Sequence, residues 1–307
     1  MTVMTETQAG TDDRRTDDRA TSAADAFAPM KIQTPRSSSW TREEGIRYLV
    51  ALDVDGTLVD HDGHMSRGVK DALRAVVGAG HHVVISTGRS MGATLPVIRQ
   101  GHIDSGFAVC SNGGVTLRLD PQLEEHYEVT DRVSFDPAHA LRALASKLPT
   151  AKFALEGSDG RFYSTERFQD ASFGIEAVGM DIHELAEIPA VRLVVYSATD
   201  APGDFAEAIE QAGLHGVAYS VGWSSWLDVA ANGVSKASAL ERIRQHLDVD
   251  PAHTVAMGDG RNDIEMLQWA ARGVAMGQAP DEVAEVSREV TGSVYEDGAA
   301  AVLRTLL

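Results

Sequence analysis

The sequence holds a single cysteine, Cys110, among its 307 residues. That excludes an internal disulfide and fits a reducing compartment. Cys110 follows the apolar Phe107-Ala108-Val109 and reads as a buried structural thiol. No run approaches the ~18 apolar residues of a membrane span, so no membrane association is expected. Basic residues are scarce: 27 Lys and Arg stand against 45 Asp and Glu, a formal net charge of −18. Residues 1–40 carry six acids and five bases, so nearly all the excess lies in the remainder. A surface of that sign argues against nucleic acid as a partner. It leaves room for a small phosphorylated molecule, because local donors and a cation can dominate within a cleft. Periodicity is missing from residues 1–44, which read as a disordered N-terminal extension rich in Thr, Asp, Arg, Ser and Ala. An appended tail is one account of that stretch; a start assigned too early, with Met30 just upstream of the folded region, is another. No apolar leader is visible there, and a cytoplasmic location is expected. No internal repeat is apparent.

What is present begins with Val50-Ala51-Leu52-Asp53-Val54-Asp55-Gly56-Thr57. An apolar run that stops at two aspartates reads as a buried parallel strand ending in a turn. Gly56 suits that turn. Open α/β sheets bind ligands beyond the carboxyl ends of their strands, so Asp53 and Asp55 are expected there. Val255-Ala256-Met257-Gly258-Asp259, followed by Gly260-Arg261-Asn262-Asp263, repeats the pattern far downstream. Two such tips side by side gather several carboxylates in a small volume. Carboxylates that close cannot all stay ionised without a cation, and hard oxygen donors suit Mg²⁺.

A third strand, Val83-Val84-Ile85-Ser86, ends in Thr87-Gly88-Arg89. Backbone N–H groups at such a tip, with a helix starting nearby, make an anion site. Arg89 reaches a substrate or pairs with an acid; the sequence leaves both open. Lys236 opens a helical pattern carried by Ala239, Leu240, Ile243 and Leu247. A lysine in a first turn opposes the helix dipole, so it is either an exposed surface residue or one that faces an anion. His61 and His64 lie near the first tip and read as loop residues.

The order of elements is βαβαβ up to Cys110, with Ser66 as the cap of the first helix and Gly80 as its stop. The rhythm resumes with a strand over 226–229, helix 235–247, strand 254–257, helix 263–270, strand 273–275 and helix 281–288. This predicts an α/β fold with one Rossmann-like parallel sheet built from residues 45–117 and 226–307. Residues 118–225 read as an inserted α+β domain, with helices at 137–148 and 202–212 and the strand Val191–Tyr196. Its aromatics, Phe153, Phe162, Tyr163, Phe168 and Phe173, are expected mostly to fill its own core.

Asp53-Val54-Asp55-Gly56-Thr57, Thr87, Lys236 and Gly258-Asp259 through Asp263 together resemble the four motifs of the haloacid-dehalogenase-like superfamily. Ser86-Thr87-Gly88-Arg89, Ser111-Asn112-Gly113-Gly114 and Gly273-Val274-Ala275-Met276-Gly277-Gln278-Ala279 resemble its Cof-type subgroup, the capped phosphatases of class IIB. The resemblance runs from about Tyr48 to the C-terminus and is weak between 118 and 225. It implies that the insert is a cap selecting substrate. It also implies Mg²⁺-dependent hydrolysis of a small phosphorylated metabolite, a sugar phosphate or similar phosphomonoester, through an aspartyl-phosphate. Asp53 would be the nucleophile and Asp55 the general acid and base. Metal ligands would be Asp53, Asp55 through its backbone carbonyl, and Asp259, with Asp263 acting behind them. Val54 and Gly88 through their N–H groups, Thr87, Lys236 and Asn262 would hold phosphate, with Arg89 and Asn112 as further substrate contacts. A sugar phosphomutase on the same fold and a non-catalytic phosphometabolite sensor are the alternatives. A receiver-like signalling domain fails on length and on the Asp-x-Asp pair. Oligomeric state is unreadable.

Overall fold

The computed structural model describes residues 40–165, 177–221 and 225–307. Most of the expected disordered extension, and the expected core residues Phe168 and Phe173, lie outside the described residues.

The chain begins with β1 (Leu49–Leu52), β2 (His82–Ser86), β3 (Gly106–Cys110), β4 (Val115–Leu119) and β5 (Tyr127–Arg132). It continues through β6 (Lys152–Gly157), β7 (Phe162–Ser164), β8 (Val178–Gly179), β9 (Ala190–Tyr196), β10 (Val217–Val221) and β11 (Trp226–Ala231). Then come β12 (Thr254–Gly258), β13 (Arg272–Ala275) and β14 (Glu289–Val290). One sheet has the order β14-β13-β12-β1-β2-β3-β4-β5 and a second the order β10-β11-β9-β6-β7-β8. From β14 to β3 the first sheet is parallel. The fold is α/β, a parallel-sheet core carrying an inserted cap.

Strand β1 is apolar at every position because both faces of the sheet are covered. Val50 and Leu52 pack with Val69 and Leu73 of α1 (Arg67–Gly78) and with Leu303 of the C-terminal helix. Leu49 and Ala51 pack on the other side with Leu240, Ile243 and Leu267. Ser66 caps α1 by accepting from the Val69 N–H at 3.1 Å. The helix yields at Ala79, and Gly80 takes φ +88°.

Two segments depart from expectation. Strands β4 and β5 pair antiparallel onto β3, so the core sheet runs on to Arg132 rather than ending at 117. Strand β11, expected beside the core strands, pairs antiparallel with β9 and β10 in the cap sheet. Its sequence explains this. In Trp226-Leu227-Asp228-Val229-Ala230-Ala231 only every second residue is buried. That alternation belongs to a strand covered on one face, not to one between two layers of helices. The cap's own core gathers Leu141, Phe153, Leu155, Leu193, Phe205 and Leu227, and Phe162 is buried against Ala154 and Val194. Phe153 and Phe162 therefore fill the cap, as expected. Among the described residues no helix is long and apolar enough to cross a membrane.

Candidate active site

The parallel register of β1 on β12 pairs Leu52 with Met257. The Asp53 N–H then donates to the Met257 carbonyl at 3.0 Å, which sets the two acidic tips side by side. At the turn, Gly56 has φ +74°, and a Cβ there would lie 2.1 Å from Asp259 Oδ2. Only glycine permits both that backbone and that approach.

Carboxylate oxygens of Asp53, Asp259 and Asp263 lie within 4.8 Å of one another. Lys236, at the first position of the helix Lys236–His246, is fully buried. Its ammonium donates to Asp53 Oδ1 and to Asp263 Oδ1, each at 2.6 Å. The reading of Lys236 as a surface residue is thereby set aside: the anion it faces is this cluster. Asp263 Oδ2 accepts from the N–H groups of Asp259 and Gly260, at 3.0 and 2.9 Å. One ammonium bonds two of the three carboxylates, and Asp259 has no bond to it among the described contacts. Burial, and then repulsion from Asp263, hold the Asp53 carboxyl well above the usual carboxylate range. The same two causes push Asp259 up to about 7. Burial alone would pull the Lys236 ammonium down, but Asp263 and Asp53 outweigh it and raise it. A cluster of hard oxygen donors that is short of positive charge fits a divalent cation such as Mg²⁺.

Asp55 is not part of this cluster. Its carboxylate is 61% exposed and takes two bonds from Arg89, Nε to Oδ2 at 2.9 Å and Nη2 to Oδ1 at 2.5 Å. Of the two fates open to Arg89, pairing with an acid is the one observed. Thr87 is buried and its Oγ1 accepts from the Arg89 N–H at 3.1 Å. Val54 is buried, and its carbonyl closes the turn by accepting from Thr57, Leu58 and Val59. Asn262 Nδ2 donates to Asn112 Oδ1 at 3.0 Å. Ser111 and Asn112 both have left-handed backbones, φ 51° and 52°, and Ser111 Oγ donates to the buried Glu156 of cap strand β6 at 2.5 Å.

A cleft of about 670 Å³ opens over Asp53, Asp55, Thr87, Gly88, Asp259 and Asn262. Its other walls include residues the sequence reading did not single out for the site. Gln278 Nε2 donates to the Gly56 carbonyl at 2.5 Å and to Asp259 Oδ2 at 3.1 Å. Its place in Gly277-Gln278-Ala279 was the only available signal. Trp226 and Arg192 arrive from the cap, and His61, Val294 and Tyr295 from the core rim. His61 thus lines the cleft from its loop.

Residues 50–303 match the sequence model of the haloacid dehalogenase-like hydrolases. A 5-amino-6-(5-phospho-D-ribitylamino)uracil phosphatase of Bacillus subtilis is 26% identical, with 84% of this chain and 96% of that protein aligned. A phosphoglycolate phosphatase of Methanoculleus marisnigri is 28% identical over 81% of this chain and 92% of its own. Among solved structures, the phosphatase BT1666 of Bacteroides thetaiotaomicron superposes with a TM-score of 0.68 at 28% identity, covering 88% of this chain and 99% of that one. With the strand-tip carboxylates, the buried lysine and the cap arranged as described, the chain belongs to the haloacid dehalogenase-like hydrolases and is an enzyme of their phosphatase kind.

Proposed function

We propose that this protein is a Mg²⁺-dependent phosphatase that hydrolyses a small phosphorylated metabolite through an aspartyl-phosphate on Asp53. The observation that carries the reading is the convergence of Asp53 and Asp259 within one small oxygen cluster, with Asp55 two residues on. Asp53, Asp259 and Asp263, with the Asp55 backbone carbonyl, would hold the cation. Once bound, it neutralises charge on the phosphoryl oxygens.

The remaining chemistry belongs to the chain. A carboxylate oxygen of Asp53 bonds to phosphorus as the bond from phosphorus to the ester oxygen breaks. Asp55 gives its proton to that leaving oxygen. The Asp55 carboxylate then takes a proton from water, whose oxygen attacks phosphorus and releases inorganic phosphate from Asp53. Lys236, Thr87, Asn262 and the N–H groups of Gly88 and Val54 hold the phosphate oxygens; the 2.6 Å approach of Lys236 to Asp53 supports this. Arg89 positions Asp55, supported by its two bonds to that carboxylate. A cytoplasmic setting is part of the reading, supported by the single buried thiol.

The test is phosphate release from a broad panel of phosphomonoesters with Mg²⁺. Free phosphate is expected with the wild type, and none with Asp53→Asn or after chelation. Full activity in Asp53→Asn refutes the reading, and an isomerised sugar phosphate in place of free phosphate makes the enzyme a mutase.

A further inference from the structure

Beyond the end of β3 the chain turns a corner at Ser111 and Asn112, both with left-handed backbones, φ 51° and 52°. Residues with a Cβ disfavour that conformation. It persists only where the surroundings over-determine it, and such places cluster at functional sites. Three sets of bonds fix this corner. Its backbone is stitched to the tip of β2: the Ser111 N–H donates to the Arg89 carbonyl at 2.8 Å, and the Asn112 N–H to the Thr87 carbonyl at 3.0 Å. The Asn112 side chain accepts from Asn262 at 3.0 Å and lies against Gly88, where a Cβ would be 3.1 Å from Asn112 Oδ1. The Ser111 hydroxyl turns away from the core and donates to Glu156 Oε2 of the cap at 2.5 Å. One corner therefore touches Thr87, Gly88, Asn262 and Arg89, and Arg89 bonds Asp55.

Glu156 is a costly residue to place there. It is 2% exposed, and a carboxylate taken out of water is unfavourable unless it is bonded or paired. Burial pushes its carboxyl up, opposed first by the Ser111 bond and then by Arg192 and Arg132. Arg192 lies opposite it on β9 and bonds Asp228 of β11. A cap that only covered the cleft can meet the core with apolar side chains. A carboxylate does something more specific: it aims one hydroxyl at one angle, through a bond stronger than a neutral one and little screened by solvent. The cap also packs directly on the corner. A Cβ on Gly114 would lie 2.6 Å from Val191 Cγ1 of β9, so the distance between β9 and the corner leaves no slack.

We propose that Glu156 is a positioning residue for phosphoryl transfer. From the cap it holds the Ser111–Asn112 corner in its left-handed form, and the corner holds Thr87, Gly88 and Asn262 towards the phosphate and Arg89 against Asp55. The inference rests on the phosphatase reading and deepens it. It gives the cap a part in the chemistry that is independent of which ester is bound.

The test measures phosphate release by the full-length protein with Mg²⁺ from p-nitrophenyl phosphate and from acetyl phosphate, whose leaving groups share no shape. Ser111→Gly removes the hydroxyl and puts the residue most at ease with a left-handed backbone in its place. It should lower kcat by about tenfold on both compounds and change KM by less than about threefold, since a small misplacement of the groups around phosphorus acts on the chemical step. Glu156→Leu should lose as much. Glu156→Gln still offers Ser111 an oxygen and should retain most of the rate. The Ser111→Gly/Glu156→Leu double variant should be no slower than the slower single one, because both changes break one bond. Ser111→Gly decides the matter even if Glu156→Leu does not fold. A wild-type kcat in Ser111→Gly overturns the inference, and so do losses that multiply in the double variant. A loss on one compound alone, carried by KM, also overturns it and makes Glu156 a substrate contact. These results leave the phosphatase standing. Phosphate from neither compound with the wild type overturns the phosphatase reading and this inference with it.

Discussion

Replacing Lys236 by methionine removes the one ammonium from a buried cluster of three carboxylates and keeps a side chain of similar length. Two carboxylates with oxygens within 4.8 Å of one another repel by at least about 3.5 kcal/mol at an effective dielectric constant of about 20. Removing one partner of a buried ion pair costs about 3–5 kcal/mol, because the charge left behind has no counterpart. Lys236 serves Asp53 and Asp263 together. Lys236→Met should therefore lose about 3 kcal/mol or more at neutral pH in the presence of a chelator. Urea unfolding followed by circular dichroism measures this. Mg²⁺ should then stabilise the variant more than the wild type, because it enters the cluster without an ammonium beside it. A ligand at a hundred times its Kd contributes about 2.7 kcal/mol, so most of the deficit should be recovered. A variant as stable as the wild type in chelator refutes the charge balance argued above. A deficit that Mg²⁺ leaves untouched refutes the cluster as a cation site.

Gly56→Ala should cost at least about 1 kcal/mol from its left-handed backbone, and a far larger share of activity, since its Cβ would meet Asp259 Oδ2 at 2.1 Å; ordinary kcat/KM in this variant would contradict the packing of the two tips. The Glu241 carboxyl is held down to about 2, first by Arg244, against some opposing desolvation, and then by Trp269 and Gln245. Its stabilisation is complete above the unfolded value and lost as pH falls through the folded one. Glu241→Gln, after discounting for solvent screening, should therefore lower stability at pH 7 by up to about 1 kcal/mol, and the gap should close between about pH 4.5 and 2; a gap that widens in acid would refute it. Burial pushes the Cys110 thiol up to about 12. A thiol reagent at pH 8 should thus label the native protein slowly and the urea-unfolded protein at once, and rapid labelling of the folded protein would show the strand to be open.

The strand tips were legible because the physics that makes them is local. A fully apolar run before Asp53, and another before Asp259, can only be buried strands, and the turn residues that follow point to one end of a sheet. Helix Pro202–Ala212 falls where its pattern puts it. Lys236 was ambiguous because its meaning depends on Asp53, 183 residues away; no local pattern carries that. Gln278 and the Asp55–Arg89 pair lie beyond the same horizon, as does the meeting of Trp226 from the cap with Tyr295 from the core rim in one cleft. Strand β11 is a different case. Its alternation was present in Leu227, Val229 and Ala231, but the rhythm of the flanking core elements outweighed it.

That strand has a mechanical implication. Only Asn232-Gly233-Val234-Ser235 separates Ala231, the last residue of the cap sheet, from Lys236. The tether is short, and Gly113 grips its far end: a Cβ on Gly113 would lie 2.2 Å from the Ser235 carbonyl oxygen. A displacement of the cap sheet would act directly on the backbone that carries the ammonium. The cap sheet and the ammonium on the pocket floor are joined by four residues of backbone.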